Sequence, residues 1–369
     1  MRFFIFATIF ISVFTLLNIY INKRLINKLD IKEQYKKYFR YFLIFNLLGI
    51  VGYLFARYNP TIPNWLYFAL SLPVGILFLL FCTAIIYDLS RKVVVNLPIS
   101  KSRRRFFKKS LDISSLVVAT SLTARSLYEA RYIEIEKIDI KIKNLKKSYK
   151  IVQLSDVHIG GLIDKDFISE LVEKVNKLKP DLVVITGDLI DVALEYAIPS
   201  LEELSKLKSK YGTYFCVGNH EYLHNIEAII KEVKKHNIIV LENENVYIGD
   251  NNFGFNLAGV YDVMGDRIGK YKPDLNKALK NKKDSPTILL AHQPRYISEV
   301  KDVDLMLSGH THGGQIYPFR LLVKLVQPYL KGLYQHNEDL QIYVNKGTGY
   351  WGPPMRLGAS SEITVITLL

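Results

Sequence analysis

The chain has 369 residues, with 49 Lys and Arg against 35 Asp and Glu, for a formal net charge of +14. That length predicts more than one structural unit and a core that needs no covalent staples, while two cysteines, Cys82 and Cys216, exclude a disulfide framework and a cysteine-built zinc module. Residues 1–130 hold 18 basic and 5 acidic groups and residues 131–369 hold 31 and 30, so the charge is not the footprint of a nucleic-acid-binding domain and nucleic acid is not expected as a partner.

Phe3 to Ile21 is an uncharged run of 19 residues, which at 1.5 Å per residue nearly spans a hydrocarbon core of about 30 Å. It ends in INKRLINK with no small-residue cleavage site, which favours a retained helix over a signal peptide. Tyr41 to Ala56 and Trp65 to Tyr87 are further uncharged runs of 16 and 23 residues, the latter with Pro73 as a tolerated kink. Tyr20, Tyr41, Trp65, Tyr67 and Tyr87 stand at their ends, as an interfacial belt requires. Residues 22–40 carry seven basic groups, residues 57–64 only Arg57, and residues 88–110 eight. Basic loops stay cytoplasmic, so three transmembrane helices return the chain to the cytoplasmic face near residue 88.

Residues 111–128 are the candidate fourth helix. Asp112 and Arg125 leave a clean stretch of only 12 residues, which suits an interfacial helix, a core helix or a signal segment better than a span. Ser102-Arg103-Arg104-Arg105-Phe106-Phe107-Lys108 precedes it and resembles a twin-arginine export signal, although it is internal. A plain cytoplasmic loop is the other reading of the same residues. The expectation is a multi-pass protein of the cell (inner) membrane, with residues 1–130 as anchor and residues 131–369 as an extracytoplasmic catalytic domain; a cytoplasmic domain is the alternative.

From Tyr132 the pattern changes. YIEIEKIDIKI alternates with period two and predicts edge strands or a hairpin. IVQLSD, DLVVITGD, TYFCVGN, TILLAH and VDLMLSGH follow as apolar runs ending abruptly in polar residues, with helical patterns over 166–179 and 225–236 between them. Residues 339–345 and 362–369 add two late strands. This is an α/β pattern, in which sites form at the carboxyl ends of strands.

Those strand ends hold Asp156-Val157-His158, Gly187-Asp188, Gly218-Asn219-His220-Glu221, His292 and Gly309-His310-Thr311-His312-Gly313-Gly314-Gln315. Carboxylate, amide oxygen and imidazole together suit Mn, Fe or Zn. Along an extended D-x-H or H-x-H the two side chains would point the same way. Taken singly, Asp188 or Asn219 would be a turn former and His292 a buried imidazole. Five such groups in order reverse those expectations.

The series resembles the calcineurin-like metallophosphoesterase superfamily over residues 148–369, and VNKGTGYWGPPMRLG before the last strand resembles its membrane-associated bacterial phosphodiesterase branch. The resemblance implies a four-layer αββα sandwich behind an α-helical transmembrane anchor. It implies that Asp156, His158 and His312 bind one divalent metal ion and Asn219, His292 and His310 a second, with Asp188 bridging. It also implies hydroxide attack on a phosphoester, with His220 as the acid for the leaving group. The anchor points to a lipid-linked or envelope substrate.

Other readings remain. His220-Glu221-Tyr222-Leu223-His224 is literally H-E-x-x-H, the zinc-protease signature, but it follows a short strand ending in Gly rather than opening on a helix. A non-catalytic metal-binding membrane protein on the same fold is a further alternative, and a nuclease is disfavoured by the near-neutral catalytic part. His224, His236 and His336 are expected in local structure and Cys216 in the core. Arg356 is a candidate to hold a phosphate or a carboxylate.

Overall fold

The structure is a computed structural model that describes residues 2–57, 59, 61–250 and 253–369. The chain forms two units, Met1–Tyr128 with Gly352–Met355, and Glu129–Trp351 with Arg356–Leu369.

In the first unit, helices α1 (Arg2–Arg24), α2 (Glu33–Ala56) and α3 (Asn64–Asn96) are each long and apolar enough to cross a membrane. Leu43, Ile50, Leu77 and Ala84 are buried between them, whereas Phe45, Phe55 and Trp65 face outward. Helices apolar on all sides are what a lipid surround requires. Pro73 lies inside α3, and Gly49 of α2 leaves room for its ring, because a Cβ there would come within 2.7 Å of Pro73 Cγ. Helix α4 (Lys101–Arg131) runs unbroken through both the arginine-rich stretch and residues 111–128. Its Asp112 is buried and accepts from the Asp30 amide (2.7 Å) and the Tyr87 hydroxyl (2.6 Å).

In the second unit, β1 (Ile133–Ile140), β2 (Tyr149–Leu154), β3 (Leu182–Thr186), β4 (Thr213–Cys216), β5 (Ile238–Val240) and β12 (Ser361–Leu368) form one sheet in the order β1-β12-β2-β3-β4-β5. The other sheet has β6 (Glu244–Ile248), β7 (Phe255–Gly259), β8 (Thr287–Leu290), β9 (Leu305–Ser308), β10 (Gly332–Gln335) and β11 (Gln341–Val344), ordered β10-β11-β9-β8-β7-β6. YIEIEKIDIKI makes no hairpin. It is the single edge strand β1, paired in parallel with β12 from Ile133 opposite Ser361, because the far end of the chain supplies its partner.

Strand alternation builds the layers. Val152, Leu154, Val183, Ile185 and Phe215 pack on the amphipathic helices α5 (Lys165–Leu178), α6 (Leu194–Leu204) and α7 (Ile226–Lys235). Their neighbours Ile151, Leu182, Val184, Tyr214 and Cys216 face the second sheet, meeting Leu257, Ile288, Leu305 and Leu307. The outer face of the second sheet, with Ala258, Leu289, Met306 and Ile342, is covered by Tyr296, Ile297 and Val300. The result is the expected αββα sandwich. Asp164 starts α5 by accepting from the amides of Asp166 and Phe167.

Candidate metal centre

Each expected ligand follows the carboxyl end of a strand: Asp156 and His158 after β2, Asp188 after β3, Asn219 and His220 after β4, His292 after β8, His310 and His312 after β9. All eight join one contact network. The backbone that presents them is not extended, however. Asp156, His158, Asp188, His310 and His312 have φ of 50°, 55°, 50°, 70° and 49°, a left-handed region that costs free energy and clusters at functional sites. Tight turns, not alternation along a strand, aim these side chains. Gly187 (φ 86°) takes such a turn where a Cβ would collide with the His292 ring, and a Cβ on Gly309 would strike Asp156.

Ligand atoms of Asp156, His158 and His312 lie within 4.8 Å of one another, as do those of Asp188, His292 and His310. His292 Nδ1 faces the Thr186 carbonyl at 2.8 Å and must donate to it. Its Nε2 then turns a lone pair toward Asp188 Oδ2 and the Asn219 side-chain oxygen, each at 3.2 Å. His158 Nδ1 faces Asp191 Oδ1 at 2.9 Å, and its Nε2 lies 3.0 Å from His312 Nε2, which is 3.5 Å from Asp156 Oδ1; since Arg356 donates to His312 Nδ1, the proton of the His158–His312 contact sits on His312 Nε2. Around His292, acceptors buried against acceptors need a positive charge between them, and an imidazole held by its other nitrogen is the usual form of a metal-ligating histidine. The donor set fits two divalent cations.

The titration behaviour agrees. Burial opposes a charge on His292, but Asp188 outweighs it and holds the imidazole well above its ordinary value, the effect of a negative field facing the ring. Burial, with His292 beside it, drives His310 down to about 3. Burial also opposes a charge on His220, yet Asp188 and Asp191 together push it up to about 9.

Three neighbours complete the centre. Asp191, which the sequence reading passed over, stands three residues after Asp188 and touches both His158 and His220; that spacing was the only signal for it. Glu221 accepts from the amides of Gly218 (2.6 Å), Leu189 (2.8 Å), Asp188 (3.1 Å) and Ile190 (3.3 Å). It lies in a 3-10 turn, Glu221–Leu223, so the H-E-x-x-H pentad is not on an α-helix and its Glu is fully occupied. Arg356 holds neither phosphate nor carboxylate. It is buried and donates to the carbonyls of Lys346 (2.9 Å), Ala359 (2.9 Å), Gly349 and Gly347, with Nη2 3.0 Å from His312 Nδ1. His236 pairs with Glu232 (3.3 Å) and His336 with Tyr329 (3.0 Å), in local structure as expected.

A two-sheet α/β sandwich with paired carboxylate–imidazole groups at its strand ends defines a two-metal hydrolase. The calcineurin-like phosphoesterase family model matches residues 149–314. A Helicobacter pylori protein named as an uncharacterized metallophosphoesterase is 41% identical over 337 residues, 90% of each chain. A Campylobacter jejuni protein, also named as an uncharacterized metallophosphoesterase, is 36% identical over 100% of this chain and 99% of its own. A Bos taurus protein named as a transmembrane protein with metallophosphoesterase domain is 36% identical over 73% of this chain and 64% of its own. The chain belongs to the calcineurin-like phosphoesterase family. It is a hydrolase of phosphoester bonds, in a family that depends on two metal ions.

Proposed function

We propose that this protein hydrolyses a phosphodiester at the membrane, on a lipid-linked or envelope phosphoester, with two divalent cations of Mn, Fe or Zn. The observations that carry the reading are the burial of acceptor against acceptor around Asp188 and the gathering of the Asp156, His158 and His312 ligand atoms within 4.8 Å of one another. Asp156, His158 and His312 would hold one cation and Asn219, His292 and His310 the other, with Asp188 shared. Such a pair neutralises the phosphoryl oxygens and lowers the pKa of the attacking water. His220, kept protonated by Asp188 and Asp191, gives its proton to the leaving alkoxide. Trp351, its ring centre 6.2 Å from that of His220, offers an apolar wall beside the leaving group. Three helices able to cross a membrane support action at the bilayer; the catalytic unit lies outside the cytoplasm if residues 111–128 also cross, and on the cytoplasmic side if they do not.

The test uses the full chain in detergent, with Mn as the added ion and a bis-aryl phosphodiester as substrate. Two equivalents of Mn and metal-dependent hydrolysis are expected, and Asp188→Asn should lose both. Full activity in that variant refutes the reading; metal binding without hydrolysis makes the protein a scaffold. A reporter fused at the C-terminus decides the compartment.

A further inference from the structure

Beyond the last metal-ligand turn the chain exposes what it would ordinarily bury. Phe319, Leu321, Leu322, Leu325 and Val326 are 47, 56, 57, 79 and 68% exposed, within eight residues. The short helix among them, Arg320–Val323, contains no buried residue. Single exposed apolar side chains are ordinary, but a contiguous cluster marks a surface that meets something apolar. The same stretch is basic: Arg320 and Lys324 lie in it, and no acidic residue occurs between Asp304 and Glu338.

The cluster is fastened to the catalytic centre. The Arg320 backbone packs against Gly314, where a Cβ would collide with it, and Gly314 is two residues from His312. The Tyr317 amide donates to the Leu357 carbonyl (3.0 Å), and the Arg320 guanidinium lies 4.5 Å from the centre of the Tyr317 ring. Gln315 is joined to the Trp351 backbone by two hydrogen bonds, of 2.8 and 3.1 Å. The exposed apolar run therefore continues from the turn that carries His312.

We infer that residues 319–326 form a membrane-docking element that inserts its apolar side chains into the interfacial layer of an anionic bilayer. Three helices able to cross a membrane bring a bilayer within reach of this chain. Cations interleaved with apolar side chains are the composition that binds such a layer, the apolar atoms entering the acyl boundary and the cations meeting lipid phosphates. Docking beside His312 would bring headgroup phosphoesters to the metal centre. In that respect the inference rests on the preceding reading of a membrane substrate.

The test needs no turnover. The full chain carrying Leu325→Trp is reconstituted in vesicles of phosphatidylglycerol and phosphatidylethanolamine with acyl chains brominated close to the headgroup. The added emission, measured against the unsubstituted chain with its Trp65 and Trp351, should be quenched severalfold, and less in phosphatidylcholine vesicles. The same quenching is expected in an Asp188→Asn background, so failure of the phosphoesterase reading would not erase it. Emission insensitive to bromine overturns the inference, and so does emission shielded only when two copies cross-link through this segment, which would assign the patch to a second copy. Leu325 is 79% exposed, so the substitution leaves the fold intact. As a second measurement, Leu325→Glu with Val326→Glu should lower hydrolysis of a vesicle-embedded phosphodiester, relative to a water-soluble aryl one, by about tenfold. An unchanged ratio counts against docking.

Discussion

Asp191 Oδ1 lies 2.5 Å from Nδ1 of His220. The same oxygen lies 2.9 Å from Nδ1 of His158, so one carboxylate faces both the proposed leaving-group acid and a proposed metal ligand. Asp191→Asn should therefore reduce phosphodiester turnover and Mn affinity together, each by about 10–100-fold, the usual effect of removing a partner that orients a ligand. Steady-state kinetics and metal titration check this. A loss confined to turnover would show that His158 does not depend on Asp191.

Gly187 makes room for His292. An alanine there must hold φ near 86° and push the imidazole off the Thr186 carbonyl. Gly187→Ala is expected to bind one equivalent of Mn nearly as before and the second about tenfold or more weakly. Equal loss at both positions in a calorimetric titration would contradict the assignment of His292 to one cation only.

Arg356 is tied to four nearby carbonyls and to His312. Removing it leaves buried acceptors without donors, at about 1–3 kcal/mol for each that water cannot reach. Arg356→Met should unfold at markedly lower temperature, and Arg356→Lys should recover little, since one ammonium cannot reproduce the fork. Thermal unfolding in detergent reads this directly.

Lys346 donates to Glu134 (3.0 Å) and lies 3.1 Å from buried Glu362. The hydrogen bond from Lys346, against some burial, lowers the Glu134 carboxyl. Burial opposes the Lys346 charge, but Glu362 and Glu134 raise its value overall. A depressed carboxyl stabilises the fold above its ordinary range and loses that contribution as pH falls through the folded value. A raised ammonium contributes below the ordinary lysine range and loses it as pH climbs through its folded value. Lys346→Met should thus destabilise by about 3 kcal/mol across neutral pH, with the gap to the unsubstituted chain shrinking in acid. A pH-independent gap would assign the role of Lys346 to packing.

Glu221 accepts four backbone amides. Glu221→Gln sets an amide group against those donors and should lower stability by about 1–3 kcal/mol. A protease base would instead lose all activity with its stability unchanged, and the same unfolding experiment separates the two.

Much of this was legible in the residues. Uncharged runs of membrane length can be read without coordinates because the bilayer selects on length and polarity alone. The five polar groups at strand ends stand out because each interrupts an apolar run. Asp191 did not stand out: a second acid three residues along a loop looks like any solvated turn until His158 and His220 are seen on either side of it. Arg356 misled for a related reason, since an arginine after two prolines resembles a ligand-binding group until its donors are found spent on carbonyls.

The sequence by itself determined the class of chemistry, the ligand types and the apolar helices, because these depend on residue identity and short-range spacing. Tertiary structure alone decided that left-handed turns aim the ligands, that β1 pairs with the chain's last strand, that Glu221 is a brace and that residues 319–326 remain exposed. Each of these depends on which distant group stands opposite, and long-range pairing leaves no local periodicity to read.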